Sequence, residues 1–356
     1  MSKSENLDFP SELGCIDSIP RKQLFSGRTS LEFMPMLTKH CGGARLFVKR
    51  DDCTGLAFGG NKARQLEFYM GAAHAEHADT ILITGAVQSN FVRMAAAAAR
   101  KLGMDCHIQL EERVTTDEPR YRDSGSVFID KLLGATLHSY PHGEDEAGAD
   151  RQLGIIAAEL QAAGHRPYII PLAAGHPPLG SLGYVVAARE LLNQINESGL
   201  LVDEIFVGSG SGATHAGLLF GLRALDSTIK VTGVCVRRDA ALQQARVSET
   251  CDLLAKLLKV ESRVTVADIN LVDDFVAPGY GIPGDATLRA IVLGAQTEAL
   301  MLDPVYTGKV MAAVVKFAKS ADASSTFVFI HTGGSPALFA YQASIEKALA
   351  GTAGPD

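Results

Sequence analysis

Residues 49–68 read KRDDCTGLAFGGNKARQLEF, a stretch in which a charged run leads through a glycine pair into a helical pattern. Lys62 follows the segment 59–61, GGN, and stands at the opening of that predicted helix. A lysine amine at the positive end of a helix, near other cationic groups, has its neutral form favoured, and a neutral amine attacks an aldehyde. Lys62 therefore suits Schiff-base chemistry with a phosphorylated aldehyde cofactor, although Lys62 taken alone is more simply explained as a solvated surface residue.

On both sides of this stretch, short β-branched runs alternate with longer Ala- and Leu-rich segments. This alternation predicts an α/β fold with open, mainly parallel sheets and flanking helices. The predicted strands are 46–48, 80–84, 106–110, 167–170, 204–207, 231–236 and 326–330. The predicted helices are 62–77, 89–102, 151–163, 181–198, 214–225, 240–259, 285–299, 307–319 and 336–348. The polar stretch 142–150 reads as a surface loop.

Composition narrows the class of function. The chain has 40 acidic and 33 basic residues and a formal charge of −7, so it lacks the positive field that nucleic-acid binding needs. The six cysteines show no CxxC pair and no regular spacing with histidine, so neither a disulfide framework nor a metal site is expected. No stretch is apolar enough to span a membrane, and the first 14 residues lack the apolar core of a signal peptide. A cytoplasmic enzyme acting on a small molecule is the expectation.

Three predicted strands run into turns of unusual composition. These turns are GAVQSNFVR at 85–93, GSGSGATHAG at 208–217 and HTGGSPALF at 331–339. Ligands of parallel sheets bind beyond the carboxyl ends of the strands, where helix N-termini present free N–H groups. Small residues in all three turns let a ligand approach the backbone closely, although glycines can also serve only to make tight turns.

The second turn is the best phosphate cradle. Consecutive amides at Ser211, Gly212, Ala213 and Thr214 stand beside two hydroxyl groups. No GK[ST] follows, which excludes a Walker loop. The dinucleotide-binding pattern GxGxxG is matched incompletely, because Ala213 stands where the third glycine is usual, although an alanine variant exists. A nicotinamide-dependent oxidoreductase, with residues 237–239 at the ribose, therefore remains an alternative.

Six motifs occur in order across residues 49–334: KRDD…GGNKxRxLEF, GAxQSNxxR, SGSxxTHAGL, APGYGIP, LDPVYTGK and FIHTGG. Together they resemble the tryptophan-synthase-β-like (fold type II) pyridoxal-phosphate enzymes. The similarity is to the group that contains D-cysteine desulfhydrase, 1-aminocyclopropane-1-carboxylate deaminase and L-cysteate sulfo-lyase. The resemblance implies a homodimer with pyridoxal 5′-phosphate as its cofactor.

The resemblance also implies roles for individual residues. Lys62 would form the covalent link to the cofactor, Asn90 would hydrogen-bond the pyridoxal 3′ oxygen, and Thr332 would face the pyridine nitrogen. The phosphate would bind at Ser211, Gly212, Ala213 and Thr214. The substrate carboxylate and reacting centre would lie at Gln88, Ser89, Asn90 and Phe91, with Ser89, Tyr280 and Tyr306 joining Lys62 in catalysis.

The implied reaction is elimination from a small β-substituted amino acid, giving a 2-oxo acid and ammonia. Thr307 in PVYTGK, where the deaminases carry glutamate, favours a D-cysteine desulfhydrase-like activity over the deaminase and sulfo-lyase alternatives. Phe91 departs from the usual QSNH, and LAAGHPPLGSLGY at 172–184 departs from GGSNPLGALGY. We expect the pocket to accept a side chain less polar than usual; a non-catalytic cofactor-binding protein is the remaining alternative.

A chain of 356 residues exceeds one ordinary core, so two lobes are expected. The smaller would span residues 63–170 and carry the QSN turn. The larger would combine residues 1–62 with 171–356 and carry the phosphate loop and the HTGG turn. The cofactor would then bind in the cleft between them.

Overall fold

A computed structural model describes residue 9 and residues 11–172 and 175–352. The strands are β1 (Leu31–Phe33), β2 (Arg45–Lys49), β3 (Thr80–Ala86), β4 (Asp105–Glu111), β5 (Thr136–Tyr140), β6 (Pro167–Ile170), β7 (Glu204–Ser209), β8 (Lys230–Cys235), β9 (Asn270–Val272) and β10 (Thr326–Ile330). The α-helices are α1 (Pro35–Cys41), α2 (Lys62–Ala75), α3 (Asn90–Lys101), α4 (Gly125–Leu132), α5 (Glu146–Ala162), α6 (Leu179–Glu197), α7 (Ala213–Ala224), α8 (Ala240–Leu258), α9 (Asp285–Glu298), α10 (Thr307–Ser320), α11 (Ala337–Ala340) and α12 (Gln342–Thr352).

The larger sheet has six strands in the order β1-β2-β10-β7-β8-β9. All neighbours are parallel except the pair β1 and β2. Strand β10, TFVFI, is buried along its whole length because helices cover both faces of the sheet. Val328 fixes the register, since it pairs with Phe47 on one side and Ile205 on the other.

The smaller sheet has four parallel strands in the order β5-β4-β3-β6. Helix α3 packs against β3 and β4 with an alanine run, Ala95–Ala99, that is buried throughout. Small side chains let the helix lie close to the sheet, and this places the N-terminus of α3 at the carboxyl end of β3.

The predicted α/β class, with mainly parallel sheets and flanking helices, is confirmed. The seven predicted strands correspond to β2, β3, β4, β6, β7, β8 and β10. Strands β1, β5 and β9 were not predicted; each is short and lies at a sheet edge, where one side of the strand faces no partner and the apolar signal weakens. The short helices α1 and α4 were missed as well.

The expectation of a surface loop at 142–150 is wrong in its second half. Helix α5 begins at Glu146, five residues before the predicted start at 151, because Asp145 caps it by accepting a hydrogen bond from the Gly148 N–H at 2.7 Å. This early start brings Glu146 to the functional site.

The division into lobes at 63–170 stays a prediction. Helix α2 contacts both α3, beside the smaller sheet, and α6, beside the larger one. Residues 1–8, 10, 173–174 and 353–356, which the predicted larger lobe includes, lie outside the described residues.

None of the described helices combines the length and apolarity of a membrane-spanning segment. The described residues also contain no cluster of three or more His, Cys, Asp or Glu side chains suited to a metal ion.

Candidate active site

The three unusual turns meet at one pocket beyond the carboxyl ends of β3, β7 and β10. Its lining residues from these turns are Gly85, Ala86, Ser89, Asn90, Phe91, Gly208, Gly210, Ser211, Gly212, Thr214 and Thr332. Because β3 belongs to the smaller sheet and β7 and β10 to the larger, the pocket lies between the two sheets. Lys62, Tyr280 and Tyr306 complete the part of the wall that the sequence predicted.

Two glycines bring the loop before Lys62 against the HTGG turn. A Cβ atom on Gly333, which has a φ of 87°, would lie 2.7 Å from the Cα atom of Gly60. The Asn61 N–H donates to the Thr332 carbonyl at 3.0 Å and ties the two segments together. The Thr332 hydroxyl lines the pocket, and no described residue hydrogen-bonds it, so it can bind a ligand.

Three charged residues of the first motif, Lys49, Asp51 and Arg64, do not line the pocket and belong to a buried network. The Arg64 guanidinium donates to the Asp51 carboxylate at 2.9 Å and to Glu190 at 2.8 Å. The Lys49 amine donates to Glu190, and the Tyr184 hydroxyl donates to Asp51, both at 2.5 Å. Removing one partner would leave a buried charge uncompensated, so the network fixes the start of α2.

Lys62 is the first residue of α2, and its amine faces the pocket. The amine donates to Gln65 Oε1 at 3.1 Å and lies over the Phe91 ring. Burial lowers the pKa of Lys62 from 10.5 to about 8. The direction is the one the sequence predicted, but the cause is removal from water rather than neighbouring positive charge.

The phosphate-loop hydroxyl of Thr214 is oriented by two amides. Asn61 Nδ2 and Gln65 Nε2 both donate to Thr214 Oγ1, each at 2.8 Å. The hydroxyl therefore accepts twice and keeps its own hydrogen for a ligand. Gly212, with a φ of 91°, is the N-cap of α7 and has a conformation that favours glycine. Ala213 is the first residue of α7 and does not line this pocket.

Gln65 joins the amine to the phosphate loop, because one end of its amide accepts from Lys62 and the other donates to Thr214. Gln65 was not predicted to be a site residue. A signal was present: Gln65 stands three residues after Lys62 and therefore shares its face of α2.

The QSN turn is built by capping. Ser89 Oγ accepts from the Phe91 N–H at 3.1 Å and caps α3. The Arg93 guanidinium donates to both Asn90 Oδ1 and the Gly59 carbonyl at 3.2 Å. With Oδ1 occupied, Asn90 presents its amide hydrogens to the pocket, so Arg93 decides that Asn90 acts as a donor.

Gln88 lies outside the pocket lining. Its Nε2 donates to the Ser124 carbonyl at 3.0 Å and also to the Tyr121 carbonyl, and its Oε1 accepts from the Ser126 N–H at 2.9 Å. The structure thus uses the Gln88 amide to anchor the loop before α4. Its predicted contact with substrate stays a prediction that this geometry does not favour.

Tyr280 and Tyr306 form a pair on the pocket wall. Their hydroxyl oxygens are 3.0 Å apart, and their rings meet edge to face. Burial raises the pKa of Tyr306 well above its ordinary value, so its hydroxyl stays protonated. A protonated hydroxyl can donate a hydrogen bond to a bound ligand.

Four charged residues at the rim also line the pocket, and none of them was predicted to line a cofactor pocket of this kind. They are Arg113, Glu146, Arg237 and Arg246. Their sequence neighbours give no common signal, because the four stand on separate elements and meet only through packing. Arg237 and Arg238, proposed for a ribose, both pair with Glu146, at 2.6 and 2.7 Å.

Comparisons with known proteins show the family of the chain. A family model described as "Pyridoxal-phosphate dependent enzyme" matches residues 22–333. Curated relatives named D-cysteine desulfhydrase, from Salmonella choleraesuis and Salmonella typhi, are each 41% identical over 324 residues, covering 90% of this chain and 96% of the relative.

Two solved structures share the fold. A crystal structure described as an ACC deaminase homologue aligns with a TM-score of 0.84 and 32% identity, covering 95% of this chain and 99% of the other. A fungal L-serine ammonia-lyase from Rhizomucor miehei aligns with a TM-score of 0.60 and 19% identity, covering 91% and 98%, which is a likeness of fold alone.

The chain belongs to the pyridoxal-phosphate-dependent enzyme family, within fold type II, and pyridoxal phosphate is its cofactor. The pocket fits this group, since one space is surrounded by a lysine of lowered pKa, a small-residue loop and Thr332, whose hydroxyl has no hydrogen-bond partner in the described part of the chain. The nicotinamide alternative is therefore wrong.

Proposed function

We propose that this chain catalyses β-elimination of D-cysteine or a closely similar β-substituted D-amino acid. The observation that carries the proposal is the Lys62 amine, of lowered pKa, in one pocket with the 211–214 loop. The name of the curated relatives and their 41% identity support the substrate. The balanced reaction is cysteine plus water giving pyruvate, ammonia and hydrogen sulfide.

Bound at Lys62, pyridoxal phosphate supplies an electron sink for the substrate α-carbon. In this proposal Ser211, Gly212 and Thr214 bind its phosphate, Asn90 donates to its 3′ oxygen and Thr332 faces its ring nitrogen. The Thr214 hydroxyl and the Asn90 amide both present hydrogens to the pocket, which suits these roles.

The proposal assigns the proton transfers to groups that line the pocket. The Lys62 amine, once free, takes the α-proton of the substrate. The β-carbon–sulfur bond then breaks with its electron pair going to sulfur, and the Tyr280–Tyr306 pair supplies the proton that the leaving sulfur needs. Ser89, at the cap of α3, binds the substrate carboxylate beside Phe91.

The deaminase alternative is less favoured by the surroundings of Thr307. The Thr307 hydroxyl donates to Asp303 Oδ1 at 2.7 Å and is buried. A glutamate at 307 would place a second carboxylate against Asp303. L-Cysteate, with a charged sulfonate, fits poorly against the apolar face of Phe91.

The test is a screen of D- and L-β-substituted alanines for release of a 2-oxo acid. We expect D-cysteine to be consumed, and Lys62→Ala to abolish release and the visible absorption of the bound cofactor. Lys256→Ala, at an exposed lysine on α8, is the control and should behave as the unmodified protein. A protein that absorbs visibly yet releases no 2-oxo acid from any of these compounds would be a binding protein without catalysis.

We also propose that the protein is a cytoplasmic homodimer. The thiols of Cys41, Cys53, Cys106, Cys235 and Cys251 are free, which suits a reducing compartment. Exposed Met301 and Phe339 lie along one apolar groove beside α9 and α12, a surface suited to a second copy of the chain. Light scattering of the purified protein, with Phe339→Asp for comparison, tests the dimer.

A further inference from the structure

One carboxylate accepts hydrogen bonds from three arginines at the rim of the pocket. Glu146 Oε1 accepts from Arg237 at 2.6 Å and from Arg238 at 2.7 Å, and Oε2 accepts from Arg246 at 3.2 Å. Glu146 is the first residue of α5, which packs against strands of the smaller sheet. The arginines stand after β8 and on α8, beside the larger sheet, so the cluster joins the two sheets.

Two of these arginines also bind the phosphate loop. Arg238 Nη1 donates to the Gly210 carbonyl at 3.1 Å, and Arg246 Nε donates to the Ser211 carbonyl at 3.0 Å. In a planar trans peptide the carbonyl and the following N–H point in opposite directions. The amides of Ser211 and Gly212 are therefore turned away from the arginines.

The cluster works only while Glu146 is ionised. Its side chain is 19% exposed, and burial alone would raise its pKa. Arg246, Arg237 and Arg238 outweigh that effect and hold the pKa of Glu146 below its usual value. A single charge thus satisfies three guanidinium groups and fixes the rotamers of the two that reach the loop.

We propose that Glu146 is a positioning residue for the cofactor phosphate: it orients Arg238 and Arg246, which hold the Gly210 and Ser211 carbonyls so that the next two amides face the phosphate. This inference rests on the proposed function, which assigns the phosphate to residues 211–214. A residue on a helix beside the smaller sheet would then support a binding loop that follows a strand of the larger one.

The test compares two ligands that differ only in phosphate. Dissociation constants of pyridoxal phosphate and of pyridoxal are measured by absorbance for the full chain and for Glu146→Gln. We expect Glu146→Gln to bind pyridoxal phosphate about tenfold more weakly and pyridoxal with its affinity unchanged, since only the phosphate uses the oriented amides.

Because Glu146 is negatively charged, a positioning role and a purely electrostatic role predict opposite changes in phosphate affinity for Glu146→Gln. If the carboxylate only offset positive charge, Glu146→Gln would bind the anionic phosphate more tightly, which would overturn the inference. Equal weakening of both ligands would overturn it too, since that would show a general structural role. Glu146→Asp, which keeps the charge but is one methylene shorter, should also lose phosphate affinity and serves if Glu146→Gln does not fold.

Glu144→Gln is the matched control. Glu144 pairs with Arg237 at 2.9 Å, and Arg237 donates to no loop carbonyl, so this variant should keep both affinities. Failure of the proposed function would look different: the unmodified protein would then bind pyridoxal phosphate no better than Lys62→Ala. If the unmodified protein binds pyridoxal phosphate more tightly than Lys62→Ala does, and Glu146→Gln binds it as tightly as the unmodified protein, only the Glu146 inference is refuted.

Discussion

The amine of Lys62 lies 5.0 Å from the centre of the Phe91 ring. Phe91 in turn packs against Tyr69, with ring centres 6.2 Å apart, and is buried. The amine therefore faces an aromatic surface where a histidine ring would offer a hydrogen-bonding nitrogen. This contact contributes to the dry surroundings that lower the pKa of Lys62.

Phe91 should set the preference for the substrate side chain. We expect Phe91→His to shift the ratio of kcat/KM values about tenfold from β-chloroalanine toward the more polar D-cysteine and L-cysteate. Phe91→Leu keeps an apolar wall and should leave the ratio unchanged. Steady-state assays with the three compounds measure it, and an unaltered preference in Phe91→His would count against the role.

Uptake of the cofactor should follow the titration of Lys62. Because its pKa is about 8 rather than 10.5, the neutral fraction of the amine rises with pH around 8. We expect the rate at which cofactor-free protein gains visible absorption with pyridoxal phosphate to increase with pH, with the midpoint of the increase near the pKa of Lys62. Lys62→Arg should show no such gain, and a rate independent of pH through this range would contradict the prediction.

Arg93 should control the orientation of Asn90. Arg93→Met removes the donor to Asn90 Oδ1 and to the Gly59 carbonyl, so the Asn90 amide can turn. We expect affinity for pyridoxal phosphate to fall about tenfold, with a shifted visible band because the 3′ oxygen loses its donor. Arg100→Met, at an exposed position on the same helix, should change neither; an unshifted band in Arg93→Met would refute the assignment.

Asp130 should make stability fall as pH rises. It is buried on α4, neither carboxylate oxygen has a hydrogen-bond partner among the described residues, and burial raises its pKa from 3.8 to about 7. The folded state therefore holds a proton that the unfolded state releases. As the pH rises from 3.8 to about 7, the free energy of unfolding decreases.

Urea unfolding at about pH 5 and about pH 8 measures this slope. We expect Asp130→Asn to lose that contribution and to be more stable than the unmodified protein at the higher pH. Asp123→Asn, at an exposed aspartate, should keep the slope. Equal pH dependence in Asp130→Asn and the unmodified protein would show that Asp130 is not the source.

The tyrosine pair should act in the elimination step. Tyr306→Phe removes the partly buried, protonated hydroxyl 3.0 Å from that of Tyr280, and we expect kcat to fall about 100-fold with little change in cofactor affinity. Tyr280→Phe should reduce kcat as well. Tyr168→Phe, on β6 away from the pocket, is the control; full activity of both pair variants would exclude a proton-transfer role.

The sequence predicted the fold class and the convergence of the three turns, because strand and helix periods and glycine-rich turns are properties of neighbouring residues. The edge strands escaped prediction for the same reason: β5, TLHSY, is half exposed and carries no strong alternation. The sequence alone assigns no role to Arg93, because only packing brings the Gly59 carbonyl within 3.2 Å of its guanidinium.

By itself, the sequence determined an α/β chain whose Lys62 opens a helix after a glycine turn and whose motifs resemble fold type II enzymes. Tertiary structure alone decided which groups share the site: Gln65 between Lys62 and Thr214, and Glu146 against arginines roughly 90 to 100 residues away along the chain. The physical reason is that helix, strand and turn formation depend on local chemistry. Contacts between distant side chains depend on how the two sheets pack, which no local pattern records.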